Sequence, residues 1–306
     1  MFSLGVLPWI VIPIVVATAA IEGAVLMRRR GRYDWRAFCV SVADLVGRQL
    51  LLLLPIGLAT PILLLAWQHR PFTVPLDTWW GLTLLALGQE FCYYWLHRAS
   101  HEVRWFWASH QVHHSPNDLN LSAAYRVGWT GRVSGVTIFY LPLAWLGFDP
   151  LAIFIIHTLN LLYQFWLHAD WIPKLGPLEL VLNTPSHHRV HHAANVEYLD
   201  ANYGGILIVW DRLFGTFVPE RDGVAMRFGQ VRPVTTYNIF AIEFREWLAM
   251  FRDFAQATTW RERLARLFAH PAWQPEGQGL TAAYLRRVRR GHPAAVPALT
   301  SPQRSG

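Results

Sequence analysis

Lysine is almost absent from these 306 residues: Lys174 is the only one, so the net charge of +7 rests on arginine. Cysteine is nearly as scarce. Cys39 and Cys92 both lie in or beside apolar segments, which excludes a disulfide framework and a thiolate metal site. Any metal must therefore be held by nitrogen and oxygen. Charge of either sign is thin, at 15% of residues against 53% hydrophobic and 14% aromatic, too apolar for an ordinary soluble domain. The expected solvent is a lipid bilayer. No internal repeat and no second soluble domain is discernible. No aromatic-basic groove motif is present either, which argues against nucleic acid as a partner. Instead Arg28, Arg29, Arg30, Arg32 and Arg36 follow directly on an apolar run, where the positive-inside rule puts a cytoplasmic flank.

The expected fold is an all-α integral membrane protein of about four transmembrane helices with a cytoplasmic, histidine-rich catalytic cap. The first span, Leu4 to Met27, is long enough for a ~30 Å hydrocarbon core and places the N-terminus outside. Ala17-Thr18-Ala19 resembles a signal-peptide cleavage site, but no basic stretch precedes it, and the arginines that follow mark an uncleaved anchor. Leu45 to Trp67, carrying Pro55 and Pro61, is a second span, and Thr78 to Leu96 is a third. Two shorter runs, Val133 to Gly147 and Leu151 to Leu167, are joined by Phe148-Asp149-Pro150 and form either a tilted hairpin or a re-entrant pair. Beyond Ala169 a strand-like run (Gly205 to Trp210), a helix (Tyr237 to Phe254) and an arginine-rich end (Tyr284 to Arg290) make up the cap, and the stretch after Gly291 is expected to be disordered. The division is 1–80 for the membrane anchor region, 81–220 for the catalytic domain and 221–306 for the cap and tail.

Histidine is what the chain has in unusual order. Nine of its fourteen histidines fall into three clusters: His97-Arg-Ala-Ser-His101, His110-Gln-Val-His113-His114 and His187-His188-Arg-Val-His191-His192, with His168 between the last two. On a helix, positions i, i+3 and i+4 share a face, so each cluster aims two or three imidazoles one way. Imidazole suits iron, zinc, copper and nickel, whereas magnesium and calcium prefer oxygen. Eight to ten imidazoles exceed what one ion accepts, so two metals are expected among His97, His101, His110, His113, His114, His168, His187, His188, His191 and His192. His69, His157, His270 and His292 lack spaced partners and read as ordinary histidines.

Three further residues are candidates for catalytic roles. Glu90 shares a helical face with Tyr94, His97 and His101, and an acid in or near the membrane is costly and usually functional. Asp170, two residues past His168, can orient an imidazole, or stand as a solvated carboxylate. Asn202, with Tyr203, can hydrogen-bond a ligand, although Asn-Tyr-Gly is also a turn signal. Gln164 lies one turn before His168. Trp105, Phe106 and Trp107 fit an interfacial belt.

The three boxes, in this order at the ends of hydrophobic runs, resemble the fatty acid hydroxylase and sterol desaturase superfamily over Gly88 to Phe217. Asn202-Tyr203-Gly204 followed by Trp210-Asp211-Arg212-Leu213-Phe214-Gly215-Thr216 is similar to what that superfamily carries after its last box. The stretches Glu90 to His101, Leu161 to Asp170 and Leu182 to His192 most resemble its glyceryl-ether-cleaving branch. The resemblance implies two iron ions, molecular oxygen as co-substrate, a membrane lipid substrate and, in that branch, tetrahydrobiopterin as reductant; a sterol desaturase or a lipid hydroxylase is the alternative. Its pattern His-x-x-His-His maps onto His188, His191 and His192 and leaves His187 outside. His292-Pro293 lacks the glycines and partner histidine of a haem-binding segment, so electrons are expected from pterin or a separate donor protein. A metal transporter would set its ligands at mid-membrane, and a hydrolytic zinc enzyme would carry a general base such as His-Glu-x-x-His; neither pattern is present.

Overall fold

A computed structural model describes residues 7–52, 54, 59–275, 281, 282, 284, 285 and 288. Among them the chain is all-helical, without strands and with two isolated bridges, Leu182 to Leu207 and Ala193 to Phe228. The helices are α1 (Leu7–Arg30), α2 (Trp35–Leu52), α3 (Ala59–Gln68), α4 (Trp79–Glu102), α5 (Arg104–His110), α6 (Leu141–Trp145), α7 (Pro150–Phe165), α8 (Pro185–His192), α9 (Val209–Phe214), α10 (Ile239–Gln256) and α11 (Trp260–Phe268).

Two stretches, Ile10–Arg30 and Pro150–His168, are long and apolar enough to cross a membrane. Both present apolar side chains outward: Ile10, Ile14, Ile21 and Val25 on α1, and Leu151, Ile155, Leu159 and Leu162 on α7. Leu82, Leu84, Leu87 and Phe91 of α4 are exposed as well, giving an apolar surface that a soluble monomer rarely shows. Asp149 starts α7 by accepting from the N–H groups of Leu151 and Ala152, with Pro150 in the first turn, where its missing N–H costs nothing.

Several expectations change. The span read over Leu45 to Trp67 is not one helix: α2 begins at Trp35, α3 has 10 residues, and Pro61 sits in the first turn of α3, where proline is tolerated. Pro55 lies outside the described residues. Val133 to Gly147 becomes a 3-10 turn, Val136–Tyr140, running into five-residue α6, a shorter apolar helix than a membrane crossing requires. The strand-like run Gly205 to Trp210 holds one isolated bridge and then turns into α9, because Glu90 takes the N–H groups of Ile206 and Leu207 that a ladder would need. The cap helix forms as α10, two residues later than its pattern, capped by Asn238, which accepts from Ala241 N. Tyr284 to Arg290 is described only in part, and the stretch after Gly291 lies outside the described residues.

Around α4 the parts converge. Helix α4 packs on α5 and α7, and α10 crosses α5 and touches α2. Gly47 lets the Trp129 indole lie directly on α2, where its Nε1 donates to Asp44 O at 3.0 Å; a Cβ at Gly47 would come within 2.5 Å of the ring. These contacts enclose a polar chamber in which every residue of α8 is buried.

Candidate metal centre

Helix α4 carries His97 and His101 one turn apart at its end. The chain breaks at Val103 and re-enters helix as α5, which stops at His110. From there it turns through Gln111 to His114, so the second cluster is not the helical triplet its spacing suggested. His168 closes the 3-10 turn Trp166–His168 after α7, and α8 supplies His188, His191 and His192.

The imidazoles sort into two groups, each with its ligand nitrogens within 4.8 Å of one another: His97, His101, His110, His114 and His191 in one, and His113, His168, His188 and His192 in the other. Three i, i+4 pairs stay together, 97 with 101, 110 with 114 and 188 with 192, whereas the fourth, 187 with 191, does not. The odd member of each triplet, His113 or His191, crosses to the opposite group. His114 and His192 stack at 4.4 Å between ring centres, so the groups adjoin. His187 belongs to neither; its ring packs against Phe217 at 5.4 Å.

Protons locate the lone pairs. His97 Nδ1 lies 2.8 Å from Tyr203 O and His191 Nδ1 3.0 Å from Ala201 O. His113 Nδ1 is 3.0 Å from Arg126 O, and His168 Nδ1 is 2.9 Å from Gln164 O. A carbonyl only accepts, so these four rings carry hydrogen on Nδ1 and leave Nε2 bare. In the five-histidine group all five Nε2 atoms are buried without a partner, a costly state for buried polar atoms. In the other group the bare Nε2 atoms of His113 and His168 face each other at 3.3 Å, and His188 Nε2 lies 3.1 Å from that of His168 and 3.0 Å from that of His192. Between His113 and His168 lone pair faces lone pair, which is repulsive unless a cation sits there. A proton does not suffice at neutral pH, because burial drives His113 down to about 4 and holds His101, His114, His188, His191 and His192 well below the ordinary histidine range. Two metal ions that favour imidazole fit this donor set.

The three carboxyl and amide candidates do not face the nitrogens. Glu90 accepts from the N–H groups of Ile206 (3.0 Å) and Leu207 (2.9 Å) and from the Asn160 amide. Asp170 pairs with Arg30 at 2.8 Å, tying α1 to the end of α7. Asn202, at φ 58°, donates to His187 O and Val218 O and accepts from Val218 N. Gln164 accepts from Tyr93 OH, while its own carbonyl serves His168. Sequence reasoning missed Asp44, Arg126 and Asp211. Asp211 lies within a motif already quoted, and an acid eight residues past Tyr203 is the one available signal. Arg126 contributes a backbone carbonyl, which no residue type announces.

A cavity of about 680 Å³ reaches the first group, lined by His101, His114 and His191 together with Trp107, Arg104, Asp200 and His270. The four histidines of the second group do not line it. The cavity therefore reaches the five-histidine group from the side of the cap formed by α10 and α11.

Residues 82–216 match the family model for fatty acid hydroxylase. Among curated proteins the chain is 42% identical to alkylglycerol monooxygenase of Danio rerio over 240 residues, 78% of this chain and 50% of that protein. It is 42% identical to alkylglycerol monooxygenase of Homo sapiens over 211 residues, 68% of this chain and 46% of that protein. Ornithine lipid hydroxylase OlsE of Rhizobium tropici is 33% identical over 145 residues, 46% of this chain and 44% of that protein. The chain spans about half the length of the alkylglycerol monooxygenases from fish and human. No solved structure matches it.

Proposed function

For a chain that belongs to the fatty acid hydroxylase family, we propose a membrane di-iron oxygenase that attacks the C–H bond beside the ether oxygen of a glyceryl ether lipid. The observation that carries this reading is the pair of buried histidine groups, one with five unpartnered Nε2 atoms and the other with the bare Nε2 atoms of His113 and His168 face to face; the likeness to alkylglycerol monooxygenases supports the choice of lipid. Two iron ions held by these nine histidines would supply the chemistry that turns dioxygen against an unactivated C–H bond.

The protein's own part is arrangement. Carbonyls of Ala201, Tyr203, Arg126 and Gln164 hold four imidazoles in one tautomer, so their Nε2 atoms need no reorientation. Burial excludes water from the nitrogens, and the cavity over His101, His114 and His191 admits the polar end of the lipid and the reductant. Hydroxylation next to the ether oxygen gives a hemiacetal, which breaks to a fatty aldehyde and glycerol. The electrons come from tetrahydrobiopterin or a separate donor protein. Glu90 and Asn202 act by fixing the 201–208 loop, and Asp170 by tying α1 to the site. The chain is multi-pass, with the N-terminus outside and the histidines cytoplasmic. The arginines at the end of α1 support that sense. Residues 1–80 anchor, 81–220 catalyse and 221–306 cap.

Membranes holding the protein are incubated with a labelled 1-O-alkylglycerol, with and without tetrahydrobiopterin, and fatty aldehyde is measured. Aldehyde dependent on iron and oxygen is expected. A stable alcohol from another lipid, with no aldehyde from the ether, would shift the reading to a lipid hydroxylase, which the likeness to ornithine lipid hydroxylase favours as the second choice.

A further inference from the structure

Two buried aspartates outside the histidine groups stand in the same relation to one histidine each. Asp211, 0% exposed, accepts from Gly204 N at 2.7 Å with Oδ2 and from Tyr203 N at 2.7 Å and Thr216 Oγ1 at 2.6 Å with Oδ1. Gly204 N and Tyr203 O belong to one peptide unit, and that carbonyl takes the hydrogen of His97 Nδ1 at 2.8 Å. Asp44, also 0% exposed, accepts from Val127 N at 3.0 Å with Oδ2. Val127 N and Arg126 O again share one peptide unit, and that carbonyl lies 3.0 Å from His113 Nδ1.

Among the described residues no peptide bond is cis, and in a trans unit the N–H and C=O point in opposite directions on a rigid plane. A carboxylate that holds the N–H therefore aims the carbonyl at the imidazole behind it. Its charge also polarises the amide, which makes the carbonyl a stronger acceptor and the far nitrogen of the ring more basic. We propose that Asp211 and Asp44 are positioning residues, each acting through one peptide unit on one histidine group: Asp211 on the five-histidine group through His97, and Asp44 on the four-histidine group through His113. The arrangement is the familiar carboxylate–histidine support of metal sites with a peptide inserted between its parts.

Local details fit this relay. Gly204 has to lack a side chain, since a Cβ would meet Leu207 O at 2.4 Å and crowd the Asp211 carboxylate at 3.0 Å. Among the described residues Asp211 has no ion-pair partner within 4.0 Å, so its charge is spent on backbone and hydroxyl donors. His191 supplies an internal contrast: its acceptor, Ala201 O, shares a peptide unit with Asn202 N, which is held by the neutral Thr216 O at 3.1 Å.

The inference rests on the two-metal reading, and the test separates the two. Full-length protein in detergent is stripped and titrated with cobalt(II), following absorption of the bound ion, chelator competition and melting of the metal-free form. Wild type should take two equivalents; fewer would remove the two-metal reading itself, and aldehyde formation plays no part in this result. Asp44→Asn keeps an oxygen for Val127 N and turns its amide N–H groups toward the Glu243 carboxyl, which can accept from them, so it should melt near wild type when metal-free. It should bind one equivalent as before and the other about 10- to 100-fold more weakly, with a shifted spectrum for that ion. Asp211→Asn places an amide N–H against at least one of its three donors and should disturb the other equivalent. Combining the two should weaken both. Two equivalents of wild-type affinity and spectrum in Asp44→Asn, the variant least able to disturb folding, would overturn the proposal.

Discussion

His187 and His188 are neighbours in the sequence, both buried, and the structure gives them different fates. His188 Nε2 sits 3.1 Å and 3.0 Å from the Nε2 atoms of His168 and His192, so His188→Ala takes one of four donors from its group. Four-ligand structural zinc sites are worth roughly 10–16 kcal/mol at neutral pH. A quarter of that is about 2.5–4 kcal/mol, or on the order of 10²- to 10³-fold in affinity. His187 offers no nitrogen to either group, and its ring, 2% exposed, packs against Phe217. His187→Ala should cost packing alone, on the order of 2–4 kcal/mol of folding stability, and leave metal in place. The same logic sends His191→Ala to the other group. Iron per chain, measured by mass spectrometry after an identical chelator wash, should fall from two to about one in His188→Ala and in His191→Ala, and stay near two in His187→Ala. Equal iron loss in His187→Ala and His188→Ala would refute the division of the histidines into these groups.

Glu90→Gln should retain both metals yet lower the melting temperature, because the new amide cannot satisfy Ile206 N, Leu207 N and the Asn160 amide together; about 1–3 kcal/mol is at stake for an unmet bond, and unchanged melting would contradict this. Glu243, raised to about 9 by burial and by its hydrogen bond with Asp44, keeps its proton when folded and loses it when unfolded at neutral pH. The stability it contributes is full below the ordinary glutamate range and is lost as pH climbs toward 9, so wild type should melt progressively lower from pH 5 to 9 and Glu243→Gln should flatten that slope; parallel curves for the two proteins would refute it. For topology, a lone reactive cysteine introduced as Arg232→Cys, at the exposed rim of the cavity, in a background with Cys39 and Cys92 replaced, should be labelled only from the cytoplasmic face; labelling from outside would invert the proposed orientation.

The sequence by itself was enough where a periodic stretch did fold as one continuous helix. An imidazole four residues from another lies on the same helical face whatever the fold, which is why 97 with 101 and 188 with 192 were readable as pairs. Apolar runs and the α10 segment were legible for the same reason: 3.6 residues per turn is a property of short stretches. Only the tertiary structure decided how the triplets divide. That division depends on α5 ending at His110, and on the turn that follows swinging His113 toward His168 and away from His110. It also decided the roles of the acids. Asp170 meets Arg30 and Glu90 meets Ile206 across more than a hundred residues of chain, where no spacing rule reaches. The tautomers were the least legible feature, because Tyr203, Ala201 and Arg126 act through backbone carbonyls that every residue carries; which of them faces an imidazole is set by the path of the folded chain and leaves no mark on residue identity.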